Sequence, residues 1–260
     1  MKAFKRLRLY MILVLLFGLG SHPFPLDGQK VITLPKAGTP TSYEISSNFK
    51  SSERSTIISS ARSVVKIQSI APNGINMAGT TGTWFVVDGQ NYIVTVAHGL
   101  IGGCRGTFIL IGTNVVTSCT QMIEYNSDVD YAILRVGEIK TSFAKPVKMK
   151  KRLPMNENGW NRVLSLQNSF FYTGYPNSSG PFTIAGRIIG YTRYREYIYG
   201  HSYAWTGSSG SGIFSSDGHF IGIVVAIEVG QTVYGYDVLE DIVIILPADR
   251  IDWTSLIPGR

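Results

Sequence analysis

Between residues 64 and 246 the chain is a succession of short apolar runs separated by turn residues, with Gly, Pro, Asn and Asp frequent among them. The runs are too short for bundle helices and are rich in the β-branched and aromatic residues that suit a pleated surface. This pattern predicts an all-β fold. Strands are expected at residues 64–70, 82–87, 92–95, 107–111, 115–117, 131–136, 163–166, 170–173, 182–191, 212–214, 220–226, 232–236 and 242–246. The turns Asp88-Gly89-Gln90 and Gly112-Thr113-Asn114 fold neighbouring runs into hairpins. Short helices are expected at 55–62, capped by Ser55, and at 249–256 after Pro247. With 44% hydrophobic and 16% charged residues, the 260-residue chain can bury one large core or two small ones. The segment 140–160, basic and then rich in Pro, Asn and Gly, is the expected connection between two halves.

The N-terminus has the three parts of a secretory signal over residues 1–21. Basic residues from Lys2 to Arg8 lead into an apolar run over 9–19, which ends among Gly18, Gly20 and Ser21. The run is short for a bilayer span. His22-Pro23 departs from a small-x-small cleavage pattern, so an uncleaved membrane anchor is the alternative to removal. In either case the remainder is expected to be secreted or periplasmic. Residues 22–55, rich in Pro, Ser, Thr, Gly and Lys, are expected to form an extended N-terminal segment. Cys104 and Cys119 flank the hairpin around Gly112, and in an exported protein a disulfide across it is plausible chemistry. Two cysteines alone make no zinc site, and no metal or cofactor is expected. Part of the net charge of +7 sits in the first eight residues and part in Lys145, Lys148, Lys150, Lys151 and Arg152. No recognition module accompanies that charge, so nucleic acid is not an expected partner.

Three local patterns carry chemistry. The run from Tyr92 to Ala97 ends at His98, a histidine placed where a buried strand meets a small-residue turn. Asp128 and Asp130 precede the run 131–136, and local pattern does not separate them. Thr206-Gly207-Ser208-Ser209-Gly210-Ser211-Gly212 places Ser209 in a glycine-rich turn that leads directly into strands, unlike a flexible linker. A serine hydroxyl needs a base to take its proton, and the base needs a third group to fix its tautomer. His98, an aspartate and Ser209 supply those parts in the order His, Asp, Ser. The Gly207 and Ser209 N–H groups are candidates for an oxyanion site. His201, eight residues before Ser209, is a candidate pocket residue.

Thr95-Val96-Ala97-His98, Asp130-Tyr131-Ala132-Ile133-Leu134 and Gly207-Ser208-Ser209-Gly210-Ser211-Gly212 together resemble the chymotrypsin/trypsin-like serine peptidases, with the closer likeness to DegP/HtrA-type and glutamyl-endopeptidase-type catalytic domains. The resemblance implies a peptidase domain over 56–257, built from two antiparallel six-stranded β-barrels at about 60–140 and about 160–246, with the active site between them. It selects Asp130 over Asp128 and implies peptide-bond hydrolysis through an acyl-enzyme on protein or peptide substrates. It places Tyr203, Ala204, Val224, Val225 and Ala226 around the primary substrate pocket, where no acid stands to pair with Lys or Arg. Ser208 replaces the aspartate with which animal trypsins bind a freed N-terminus, and Gly99 replaces the cysteine that often follows the histidine. No second domain is expected after residue 256. The competing expectation is an inactive member of the fold that serves as a protein-binding module.

Overall fold

The computed structural model describes residues 45–112, 114–232 and 235–258, so the signal-like segment and most of the extended N-terminal segment lie outside the described residues. The first helix, α1 (Ser51–Ser63), begins four residues before the predicted start. Its N-cap is Lys50, whose N–H donates to the Glu53 carboxylate at 2.8 Å, rather than Ser55.

Six strands follow in the N-terminal half: β1 (Val64–Ile70), β2 (Met77–Val87), β3 (Gln90–Thr95), β4 (Thr107–Ile111), β5 (Asn114–Asn126) and β6 (Tyr131–Val136). They pair in the order β1-β4-β5-β6-β3-β2, all antiparallel, and β2 pairs back onto β1 from Val64↔Thr83 to Ile70↔Met77. That last pairing closes the sheet into a barrel and removes its edges. A two-residue strand, β7 (Val147–Lys148), adds in parallel beside β2. The β2–β3 turn uses Asp88 and Gly89, both at positive φ (46° and 79°), as a tight hairpin requires.

The second barrel closes in the order β10-β13-β12-β11-β8-β9, with β8 (Ser169–Gly174), β9 (Phe182–Tyr191), β10 (Ile198–His201), β11 (Gly212–Ser215), β12 (Phe220–Thr232) and β13 (Gly235–Pro247). The expected double-barrel, all-β architecture is therefore the one observed. Between the barrels the chain forms a 3-10 turn at Met149–Lys151 and a second helix, α2 (Glu157–Val163). The terminal helix is realised as a single 3-10 turn, Ala248–Arg250.

Other elements also differ from the sequence expectation. Residues 163–166 are not a strand. Asn156 caps α2 by accepting the Gly159 N–H at 2.9 Å, and Val163 and Leu164 end that helix against the second barrel's core. Residues 232–236 are not one strand either, because Thr232 ends β12 and pairs with Gly235 at the start of β13. β2 starts at Met77 instead of Gly82, which brings Thr80 and Thr81 into the barrel wall.

Each barrel has its own core, and a third cluster joins them. Ile93, Ala132 and Leu134 belong to the first core, and Ile213, Val224 and Ile245 to the second. Their strand neighbours Val94, Tyr131, Ile133, Phe214, Val225 and Leu246 turn the other way into a shared seam with Phe85, Phe220 and Trp253. Strands at the seam are buried on both faces, which is why they read as unbroken apolar runs and not as alternating ones.

Cys104 and Cys119 form a disulfide that ties the approach to β4 onto β5, with a sequence separation of 15. Closing a loop of this length contributes about 3 kcal/mol. The Cys104→Ala/Cys119→Ala double variant should therefore unfold at a clearly lower urea midpoint than the oxidised protein. An unchanged midpoint would show that the β4–β5 hairpin holds without it.

Candidate active site

His98 and Asp130 meet because of strand register. β3 and β6 are antiparallel with Thr95 opposite Ala132. Continuing past Thr95 therefore moves along the sheet in the same direction as stepping back from Ala132. His98 and Asp130 both lie just beyond that end. Asp130 sits at φ 66°, a left-handed conformation that Asp tolerates better than most residues. Its carboxylate holds His98 twice: Oδ1 accepts the His98 backbone N–H at 2.9 Å and Oδ2 lies 2.7 Å from Nδ1. A carboxylate can only accept, so the Nδ1 proton is fixed and Nε2 is left as the acceptor. Asp128 is exposed in the preceding turn, its N–H bonded to the Asn126 side chain at 3.1 Å, and it takes no part.

Ser209 lies in a turn anchored on both sides. Gly207 and Gly210 have φ of 95° and 86°. The Gly210 N–H donates to Val224 O at 2.7 Å, and Val224 N–H donates to Ser211 O at 3.0 Å, so the turn is sewn onto β12. The Ser209 hydroxyl is partly exposed and points toward Val225 O at 3.5 Å, too long to hold it firmly. No hydrogen bond joins it to His98 among the described residues. The two residues are nevertheless tied to one place on β2. The Thr80 hydroxyl donates to Ser209 O, and a Cβ built on Gly99, directly after His98, would lie 2.7 Å from the Thr80 methyl.

The peptide units around Ser209 are oriented by their carbonyls. Thr206 O accepts the Asn177 N–H at 2.5 Å, and Ser208 O accepts the Ser211 N–H at 3.0 Å. Because a trans peptide points its N–H opposite its C=O, these bonds fix the directions of the Gly207 and Ser209 N–H groups. Neither N–H has an acceptor among the described residues. An added Cβ at Gly207 would lie 2.6 Å from Tyr175 O, besides straining the positive φ. Gly207→Ala should accordingly displace this donor and lower kcat/KM by about 10²- to 10³-fold. Retained turnover in a steady-state assay would remove Gly207 from the site.

The model of the trypsin-like peptidase domain family matches residues 80–223, more than half of the chain and all three patterns described above. The chain belongs to the trypsin-like peptidase family. Comparison with curated proteins returns no significant match. Among solved structures, this trypsin-like peptidase is similar to the active form of the Rv3671c protease from M. tuberculosis, with 19% identity over 77% of this chain and 83% of that one, at a TM-score of 0.56. It is also similar to the serine endoprotease from Yersinia pestis (18% identity, 77% and 64% covered, TM-score 0.55). A third is the HtrA-type protease AlgW with tripeptide (16% identity, 76% and 60% covered, TM-score 0.54). The last two are matched over less than two thirds of their own length. At these identities the likeness is one of fold.

The predicted pocket residues do not gather in this peptidase. His201 ends β10 in the open, its Nε2 3.7 Å from the Asp241 carboxylate. Ala204 and Val224 are buried in the second barrel's core, Val225 turns into the seam, and Ala226 is exposed beyond a bulge in β12. Tyr203 alone lines a cleft beside the serine turn, with Pro176, Asn177, Ser179, Phe182, Ile184 and Trp205. It is positioned through its carbonyl, which accepts from the hydroxyl of Tyr172. Burial of that phenol pushes its ionisation well above the ordinary tyrosine value, so it remains a donor at neutral pH. Among the described residues no three His, Cys, Asp or Glu side chains gather as metal ligands.

Sequence reasoning missed Thr80 and Thr81, both buried, which line the first barrel where it meets the serine turn. The signal was the polar run Gly79-Thr80-Thr81-Gly82-Thr83 beside a core strand, because buried hydroxyls must find partners.

Proposed function

We propose that this chain is an exported serine endopeptidase that cleaves peptide bonds through an acyl-enzyme on Ser209. The observation that carries this reading is the double hold of Asp130 on His98, which leaves Nε2 as the nitrogen able to accept a proton. The Ser209 hydroxyl is held only loosely, 3.5 Å from Val225 O, and nucleophile–base bonds are often long before substrate arrives. His98 then takes the Ser209 proton as Oγ attacks the scissile carbonyl carbon. The resulting oxyanion accepts from the Gly207 and Ser209 N–H groups, which have no other acceptor among the described residues. Collapse breaks the C–N bond, and the amine leaves with the proton from His98. Water repeats the sequence to release the acid and restore the hydroxyl.

The primary substrate side chain is proposed to be apolar. Phe182, Ile184, Tyr203 and Trp205 supply the cleft's large surfaces, and its lining contains no carboxylate. Export is proposed from the signal-like residues 1–21 together with the Cys104–Cys119 disulfide, a bond that persists in oxidising compartments. Digestion of a mixed peptide library by the purified protein tests both activity and preference. The expected result is internal cleavage next to apolar residues. Preferred cleavage after Lys, Arg, Asp or Glu would contradict the apolar assignment, and an undigested library would contradict the activity.

A further inference from the structure

The turn that carries Ser209 is gripped from the opposite barrel, and most of the grip comes from one fully buried residue of β2. The Thr81 hydroxyl donates to Gly207 O at 2.7 Å and accepts the Tyr175 N–H at 3.0 Å. Its backbone N–H donates to Ser209 O at 2.9 Å, joining the Thr80 hydroxyl on the same carbonyl. Its own carbonyl accepts from the buried Thr95 hydroxyl at 2.7 Å, which ties the arrangement to β3 just before His98. Tyr175 opens the short turn whose Asn177 N–H holds Thr206 O, and that carbonyl sets the direction of the Gly207 N–H.

We propose that Thr81 is a positioning residue for the Gly207 oxyanion donor, acting through Tyr175 and the Gly207 carbonyl. The inference rests on the reading that the Gly207 and Ser209 N–H groups stabilise the oxyanion. One hydroxyl supplies one proton and two lone pairs, enough for both of its bonds. With it in place, the carbonyl of Gly207 is drawn toward the first barrel. The turn bearing Asn177 is pinned at the distance that aims the Gly207 N–H outward. Valine has nearly the same shape but neither donates nor accepts, so Thr81→Val loosens this alignment while keeping the barrel wall filled. The large apolar surfaces of the cleft, Phe182, Tyr203 and Trp205, make no bond to the Thr81 hydroxyl.

Steady-state kinetics on Thr81→Val and Thr81→Ser, beside wild type and Ser209→Ala, test the inference. Thr81→Val should lose on the order of 10²-fold in kcat with KM changed less than about threefold, because the loss falls on the transition state. Affinity for a peptide aldehyde, whose adduct places an oxyanion on the same donors, should fall by the same factor as kcat/KM. Thr81→Ser, which restores the hydroxyl, should recover activity to within about fivefold of wild type. Should Thr81→Val fail to fold, Thr81→Cys against Thr81→Ser makes the same comparison, since a thiol is a weak donor and acceptor. A Thr81→Val enzyme with unchanged kcat, a loss confined to KM, or equal losses in the Val and Ser variants would overturn the role of Thr81 alone. Wild-type hydrolysis that persists in Ser209→Ala would instead overturn the underlying reading.

Discussion

Replacing Ser209 with alanine is expected to lower peptide hydrolysis by at least about 10⁴-fold, the scale on which loss of a nucleophile in a Ser-His-Asp site is felt. The same substitution should leave the fold almost untouched. The hydroxyl has a single weak contact, 3.5 Å to Val225 O, while the turn is held by backbone bonds that alanine keeps. Its thermal midpoint should therefore match wild type, since a surface change of this kind stays within about 0.5 kcal/mol. Activity lost without loss of stability separates chemistry from folding. Near-normal turnover by the folded variant would contradict a nucleophilic Ser209.

The aspartates give the second large effect. Asp130→Asn should cost about 10⁴-fold in kcat, because an amide at Oδ2 can donate to Nδ1 and turn the imidazole to the wrong tautomer. It also weakens the bond that Oδ1 accepts from the His98 N–H, so a modest drop in stability is expected alongside. Asp128→Asn should stay within about tenfold of wild type, as an exposed turn residue with no bond to His98 contributes little to the transition state. Parallel kcat measurements on the two variants decide the matter. A larger loss from Asp128→Asn would reassign the carboxylate that orients the base.

Much of the fold was legible because a strand's signal is local. The runs at 182–191 and 131–136 coincide with β9 and β6, and the turn at Asp88-Gly89 carries its positive-φ requirement in its residue types. Harder cases depended on partners far away in the chain. β10 is four residues long with Gly200 inside it and exists because it pairs with β9 and β13. Residues 163–166 read as a short apolar run, yet the cap at Asn156 makes Trp160, Val163 and Leu164 the apolar stripe of a helix. Asp128 and Asp130 would share a side only if the chain were extended there, and Asp130 is not extended.

At the site, His98 and the serine turn stand out in sequence as short motifs at strand ends, whereas only the family resemblance selects Asp130 over Asp128. The cleft does not stand out. Whether Val224 faces the core or the substrate depends on strand parity, and the approach of Pro176 and Phe182 to Trp205 is set by tertiary contacts. The threonines on β2 stayed hidden for the same reason. The partners of Thr81 at Tyr175, Gly207 and Ser209 lie on the other barrel.

Covalent labelling with a fluorophosphonate is the most direct test of the central claim, because only an activated serine displaces the leaving group at a useful rate. Purified protein is incubated with the reagent, digested and mapped by mass spectrometry. The account predicts one phosphonylated residue, Ser209, with labelling lost in His98→Ala although the serine is still present. A folded wild-type protein that stays unlabelled, or one labelled at a different serine, would contradict it.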